Sequence, residues 1–272
     1  MKKLFFTFLM LFSIDFLAFA QENEDEKLVE INKLPPQLVS NCQQRLPNAV
    51  LVSAMVNENI GDYAIKWTQG AKKGSILYRN NGGGVFGYVL LMTEYSTPKD
   101  IAINIPANVQ QTFLRIITQG KTAKWTKIDN QNGAKKYIAK AEIDAIKVEF
   151  EINIVAKTKI NNFTLVLMRE GIVDNVKDII NVPTFEKMLN INGTITQKIK
   201  KIYDYAETKK YILSPFSIKF EGGLPQTSTQ KGELNLTIRA KTSTNVSSNT
   251  NDKGKDFILF YTGDGKVQES SF

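Results

Sequence analysis

The apolar positions of this chain fall into two kinds of pattern, and they alternate in order. Leu38, Val39, Cys42 and Leu46 recur at helical spacing after Pro35-Pro36 and stop at Pro47. Val109, Phe113, Ile116 and Ile117 do the same after Pro106, and Phe185, Met188 and Leu189 allow a short helix after Pro183. Between these stretches lie strand-like runs: Ala49 to Val56, Tyr63 to Trp67, Ser75 to Tyr78, Val85 to Met92, and Ala123 to Ile128. Tyr137, Ala139, Ala141 and Ile143 alternate with Lys140, Glu142 and Asp144, the period of a half-buried strand. From Ile146 the apolar phase moves to even positions, through Val148, Phe150, Ile152 and Ile154. A period of two changes phase only at a turn or bulge, so the chain is expected to reverse at Asp144-Ala145.

One junction is written twice. Leu91-Met92-Thr93-Glu94 leads through a polar linker at Lys99-Asp100-Ile101 to Asn104-Ile105-Pro106; Leu167-Met168-Arg169-Glu170 leads through Lys177-Asp178-Ile179 to Asn181-Val182-Pro183. The apolar runs Leu90 to Met92 and Leu165 to Met168 suit strands buried on both faces. The proline forces its predecessor to be extended and is tolerated in a first helical turn, marking a change from strand to helix. Asn32-Lys33-Leu34-Pro35 and Phe257-Ile258-Leu259-Phe260 repeat the two ends of the junction more faintly. The expectation is an α+β protein of three tandem units, each a short helix packed on an antiparallel β-sheet, spanning 34–105, 106–182 and 183–272.

The third unit is the least regular. Ile195, Ile199, Ile202 and Ala206 have helical spacing within Thr194 to Tyr205, but the Ile, Thr and Tyr content and the register of the repeat favour a strand. We read it as strand. Ile212 to Phe220, Leu234 to Ala240, Phe257 to Tyr261 and Val267 onward are strand-like. The Ser/Thr/Asn tract at 241–255 reads as a hairpin loop, and Gly263-Asp264-Gly265 as a final turn.

The first twenty residues add a compartment. Lys2-Lys3, an apolar stretch from Leu4 to Ala18 and Ala18-Phe19-Ala20 before Gln21 read as a secretory signal peptide, with cleavage expected after Ala20. A disordered tail, 21–33, is expected to follow it, and the mature protein is expected in the periplasm or outside the cell, with no transmembrane segment. The single cysteine, Cys42, excludes an intrachain disulfide and reads as a small buried hydrophobe. Lys2, Lys3 and Asp15 contribute +1 of the formal +8, leaving +7 on the mature chain. The excess is mostly lysine, which suits a solvated surface better than the bidentate recognition of phosphate, so no nucleic-acid partner is expected. Lys198, Lys200, Lys201, Lys209 and Lys210 are the densest group and the candidate binding residues.

Catalytic chemistry is hard to assemble here. Without histidine there is no Ser-His-Asp or Cys-His site and no imidazole for a transition metal; no cofactor or metal is expected. Asp129-Asn130-Gln131-Asn132-Gly133 approximates a calcium loop. Its glycine falls one place early and Lys140 stands where the bidentate glutamate is required, so it reads as a turn. Asn80-Asn81-Gly82-Gly83-Gly84 reads as a hairpin turn rather than a phosphate loop, because no helix and no Lys-Ser/Thr pair follows it. The pairs Glu142/Asp144 and Glu149/Glu151 each project from one strand face and read as the solvent side of a sheet, with a glycosidase-like pair as the alternative.

Proline followed by a short amphipathic helix, a strand carrying Trp125, the opening Gly61-Asp62-Tyr63, and a hairpin ending Gly263-Asp264-Gly265-Lys266-Val267 together resemble PepSY-like, or β-lactamase-inhibitor-like, secreted modules. The chain departs from that pattern at Thr126, where those modules have an acidic residue, and in the Ser/Asn tract. The resemblance implies one helix on a curved antiparallel sheet in tandem, with a binding or inhibitory role and no catalytic residue. The expected function is thus an exported, non-catalytic protein that binds another protein or an envelope polymer. A lysine-driven binder of anionic lipid or polysaccharide is the alternative, followed by a hydrolase using carboxylates alone.

Overall fold

The structure is a computed structural model and describes residues 26–117, 123–143, 146–156, 159–169, 180–190, 194–212, 216–223, 233–242, 256–261 and 266–271. The expected leader, the expected turns at Asp144-Ala145 and Gly263-Asp264-Gly265, the expected linker at Lys177-Asp178-Ile179 and most of the 241–255 tract lie outside these residues. The chain divides into two compact units, Met1–Leu91 and Met92–Phe272.

In the first unit, β1 (Glu26–Val29), β2 (Val50–Asn57), β3 (Asp62–Gln69), β4 (Lys72–Asn80) and β5 (Phe86–Tyr95) are neighbours in chain order. β5 carries the chain into the second unit. The tail expected to be disordered, 21–33, instead contributes β1, paired antiparallel with β2, and a 3-10 turn at Ile31–Lys33. Helix α1 (Pro36–Arg45) starts on its proline and packs Leu38 and Cys42 into a core with Ala54, Ile65, Trp67, Ile76 and Tyr78. Ala64 and Leu77, paired across β3 and β4, are buried on the other face.

The Gly61-Asp62-Tyr63 motif has a structural purpose. Gly61 takes φ +67° at the turn into β3, where the Asn57 side chain accepts from the backbone N–H of Asn59 at 3.1 Å. Buried Asp62 then accepts from the Asn80 N–H at 2.9 Å, tying the end of β4 to the start of β3. The turn from β4 to β5 places Gly82, Gly83 and Gly84 all at positive φ, as an Asn-Gly-rich hairpin requires.

In the second unit, β6 (Lys124–Asn130), β7 (Lys135–Ile143), β8 (Ile146–Ala156), β9 (Lys159–Arg169), β11 (Phe216–Gly223), β12 (Glu233–Thr242), β13 (Asp256–Tyr261) and β14 (Val267–Ser271) lie side by side in that order, with β10 (Tyr211–Ile212) beside β12. Their pairings are antiparallel. Trp125, Ala139, Phe150, Leu165, Phe220 and Leu236 form one cross-strand row, each opposite the next and each buried.

That row crosses the expected junction at 182/183, and the three-unit fold class is therefore corrected. Strand pairing between β9 and β11 merges what the proline periodicity separates into a mostly antiparallel sheet with helices as its cover. The helices that follow the prolines do not each open a new sheet. α2 (Pro98–Asn104) and α3 (Ala107–Ile116) precede β6, while α4 (Val182–Leu189) and α5 (Thr194–Thr208) sit between β9 and β10. Phe113 of α3 meets Trp125 and Phe150, and Phe185 of α4 meets Phe163 and Phe220, all at ring-centroid distances of 5.1–6.0 Å. α3 packs on α4, α4 on α5, and α5 on β12, β13 and β14.

Two further expectations change. Thr194–Thr208 is a helix, not a strand: Ile195, Ile202 and Ala206 are buried and Ile199 packs partly against them, so helical spacing outweighs β-branched content. Its start is held by buried Glu186, which accepts from the Ile195 N–H at 3.0 Å and places negative charge at the helix N-terminus. The run Leu165 to Met168 is not buried throughout; Leu165 and Leu167 face the core while Val166 is half-buried on the opposite face.

Candidate binding site

The expected lysine group is distributed along α5. Lys198 and Lys201 converge on Tyr261 of β13, with their ammonium nitrogens 5.1 and 5.5 Å from the ring centroid, within the range of a cation–π contact. Burial lowers the pKa of Lys198. Lys200 pairs with Asp204 at 2.8 Å, one helical turn on. Lys209 stands over Tyr205, whose hydroxyl donates to Glu269 at 3.0 Å. Lys210 closes the helix at φ +56°. The structure therefore brings Lys198 and Lys201 together and assigns Lys200, Lys209 and Lys210 to separate local contacts.

The carboxylate pairs are equally local. Glu149 pairs with Lys140 at 3.2 Å and Glu151 with Lys136 at 2.8 Å, across β7 and β8 on the face opposite the aromatic row. Asp144 lies outside the described residues. The Asp129-to-Gly133 stretch is the turn between β6 and β7, closed by the Asn130 N–H on the Ala134 carbonyl at 3.0 Å, and Asp129 pairs with Lys127. Among the described residues no three His, Cys, Asp or Glu side chains cluster closely enough to hold a metal ion. Nor, among them, is any helix long and apolar enough to cross a membrane.

A different arrangement emerges in the first unit. Asn41 and Arg45 stand three residues after Leu38 and Cys42, so helical geometry sets them, with Gln44 farther round, along the border of the core face of α1. The glycine turn folds β5 back beside β4 and presents Tyr78, Phe86 and Tyr88 to them. These six side chains line a recess of about 450 Å³. The Arg45 guanidinium lies 3.9 Å from the Tyr88 ring centroid. Tyr88 meets Tyr78 edge-on at 6.5 Å, and Phe86 meets Tyr63 edge-on at 5.4 Å.

No family model, curated protein or solved structure matches the chain. The site must be read from its own chemistry.

Beneath the recess, burial pushes the Cys42 thiol up to about 11, partly opposed by the neighbouring Tyr78 hydroxyl. Burial also raises the Tyr78 phenol, and the adjacent thiol adds to that. The Tyr78 hydroxyl meets the Cys42 thiol, and no other partner reaches it among the described residues. A thiol held protonated is a poor nucleophile, so Cys42 belongs to the core behind Tyr78, which lines the recess, rather than to a reactive centre. Sequence reasoning did not single out Arg45 or the aromatic residues facing it. The available signal was the scarcity of arginine, since Arg45 is one of only five.

Proposed function

We propose that this is an exported, non-catalytic protein that binds another protein or an envelope polymer. The recess between α1 and the β4–β5 hairpin carries this reading, because it joins a planar cation, two amides and aromatic surface in one concavity of ligand size. The leader supplies the compartment, and the resemblance to PepSY-like modules supplies the inhibitory variant of the same role. The paired state of Glu149 and Glu151 supports binding over hydrolysis, since a carboxylate neutralised by lysine is a weak candidate for a general acid.

A second reading rests on Lys198 and Lys201, whose convergence on Tyr261 suits capture of an anionic lipid or polysaccharide. Capture from envelope extract by the mature protein, at low and at high salt, separates the two. Retention that survives high salt supports the recess-centred reading. Steep loss with salt supports the lysine reading, because exposed charges are screened within about 8–10 Å at physiological ionic strength. Retention at neither salt defeats both.

A further inference from the structure

We propose that the recess of α1, β4 and β5 binds a carboxylated saccharide unit of an envelope polymer. The inference deepens the binding reading above and rests on it. Among the described residues Arg45 has no ion-pair partner, and the Asn41 and Gln44 side chains make no hydrogen bond. Stacking on Tyr88 uses the face of the guanidinium plane, and the donors that fork a carboxylate lie in that plane. Asn41 and Gln44 each offer a donor and an acceptor, the complement of a sugar hydroxyl. Half-buried Phe86 supplies apolar ring surface for the C–H face of a pyranose, beside the Tyr88 ring that Arg45 covers.

The lining also argues against other ligands. A phosphate or nucleic-acid site would gather several cations, and an acidic peptide would call for more than one, yet among the described residues Arg45 is the only charged one in the lining. One carboxylate, several hydroxyls and an apolar ring face are the features that this set satisfies together. The volume of about 450 Å³ falls in the range of small-ligand sites.

The test is calorimetric titration of the mature full-length protein with glucuronic acid oligomers and with glucose oligomers of equal length. The expected result is a preference of about tenfold or more for the acidic oligomers, the value of one charge-assisted bidentate contact. Arg45→Gln should abolish that preference, and Arg45→Lys should reduce it by removing the fork while keeping the charge. Gln44→Ala should weaken both oligomers. Thermal melts of each variant establish that the unit remains folded. Equal affinity for the two oligomers, an unchanged preference in Arg45→Gln, or no binding of either at millimolar concentration would overturn the proposal. Envelope capture with Arg45→Gln tells this failure from that of the wider reading. If wild type and variant retain the same partner equally, the saccharide site is wrong and the binding reading stands; if neither retains a partner although the oligomers bind through Arg45, the reverse holds.

Discussion

Replacing Phe113 by alanine should destabilise the second unit by about 4 kcal/mol, from the range of roughly 3–5 for a fully buried phenylalanine. The side chain is 1% exposed and sits between Trp125 at 5.6 Å and Phe150 at 6.0 Å. Each aromatic contact adds about 0.5–1.5 kcal/mol beyond the burial of area, which places the loss above the lower end of the range. The surroundings have little freedom to collapse into the space, because Trp125 and Phe150 belong to paired strands and α3 is joined to α4 through the Asn181 N–H on the Ile116 carbonyl at 2.8 Å. The chain has two tryptophans, Trp67 in the first unit and Trp125 in the second, so a Trp67→Phe background makes emission a report on the second unit alone. With a urea slope of about 2 kcal/mol/M, the midpoint should fall by about 2 M. Leu114, 48% exposed on the same helix, is the internal control, and its replacement by alanine should change stability by no more than about 0.5 kcal/mol. A midpoint shift below about 0.5 M for Phe113→Ala, at unchanged slope, would refute the placement of α3 over the aromatic row.

Glu186→Gln should cost about 1–2 kcal/mol in the same assay, since the Ile195 N–H loses a charged acceptor at a helix start; an unaltered midpoint would mean that the contact does not cap α5. Gly61→Ala should cost about 1–2 kcal/mol or more, read through Trp67 in a Trp125→Phe background, because φ is +67° and the added Cβ meets the Asn80 side chain; a neutral result would place the strain elsewhere. Cys42 should resist thiol reagents at pH 8 until the chain is unfolded with urea, and rapid labelling of the native protein would contradict its burial. Its thiol is held up to about 11 against an ordinary 9.0, so the folded state keeps a proton that the unfolded chain gives up. That contribution to stability is complete below about pH 9 and declines as pH rises towards 11.

Local pattern was legible wherever one face is buried and the other wet. The phase change at Asp144-Ala145 predicts β7 and β8, and Ile146 to Ile154 are buried at alternate positions as it requires. The helical faces at Cys42 and Phe113 follow from spacing after proline. α2 was hidden within a stretch read as linker, although Thr97 followed by Asp100 signals its start: the Thr97 hydroxyl accepts from the Asp100 N–H at 3.1 Å. α5 was misread because its isoleucines and threonines have weak helix propensity, while the contacts that stabilise it come from strands far along the chain. The union of β9 with β11 leaves no local trace, since two helices intervene and a strand does not encode which neighbour it pairs with. The recess is illegible for the same reason: Arg45 and Tyr88 meet through the fold, not through any motif.

The lysine–glutamate contacts on the outer face of β7 and β8 protect against an error that hydrophobic alternation cannot detect. A slip of two residues returns every apolar side chain to the core face, so burial alone leaves neighbouring alignments nearly equivalent. In the native alignment Lys140 faces Glu149 and Glu142 faces Lys147. Sliding β8 by two residues one way sets Glu142 against Glu149; sliding it the other way sets Lys140 against Lys147. Each misalignment keeps one opposite-charge pair, Lys140 with Glu151 or Lys136 with Glu151, but sets like charges directly opposite at the other, a penalty that the correct alignment avoids. The alternating charges on this face thus proofread the hairpin as it zips, and the partial exposure that makes them weak contributors to stability leaves that directional information intact.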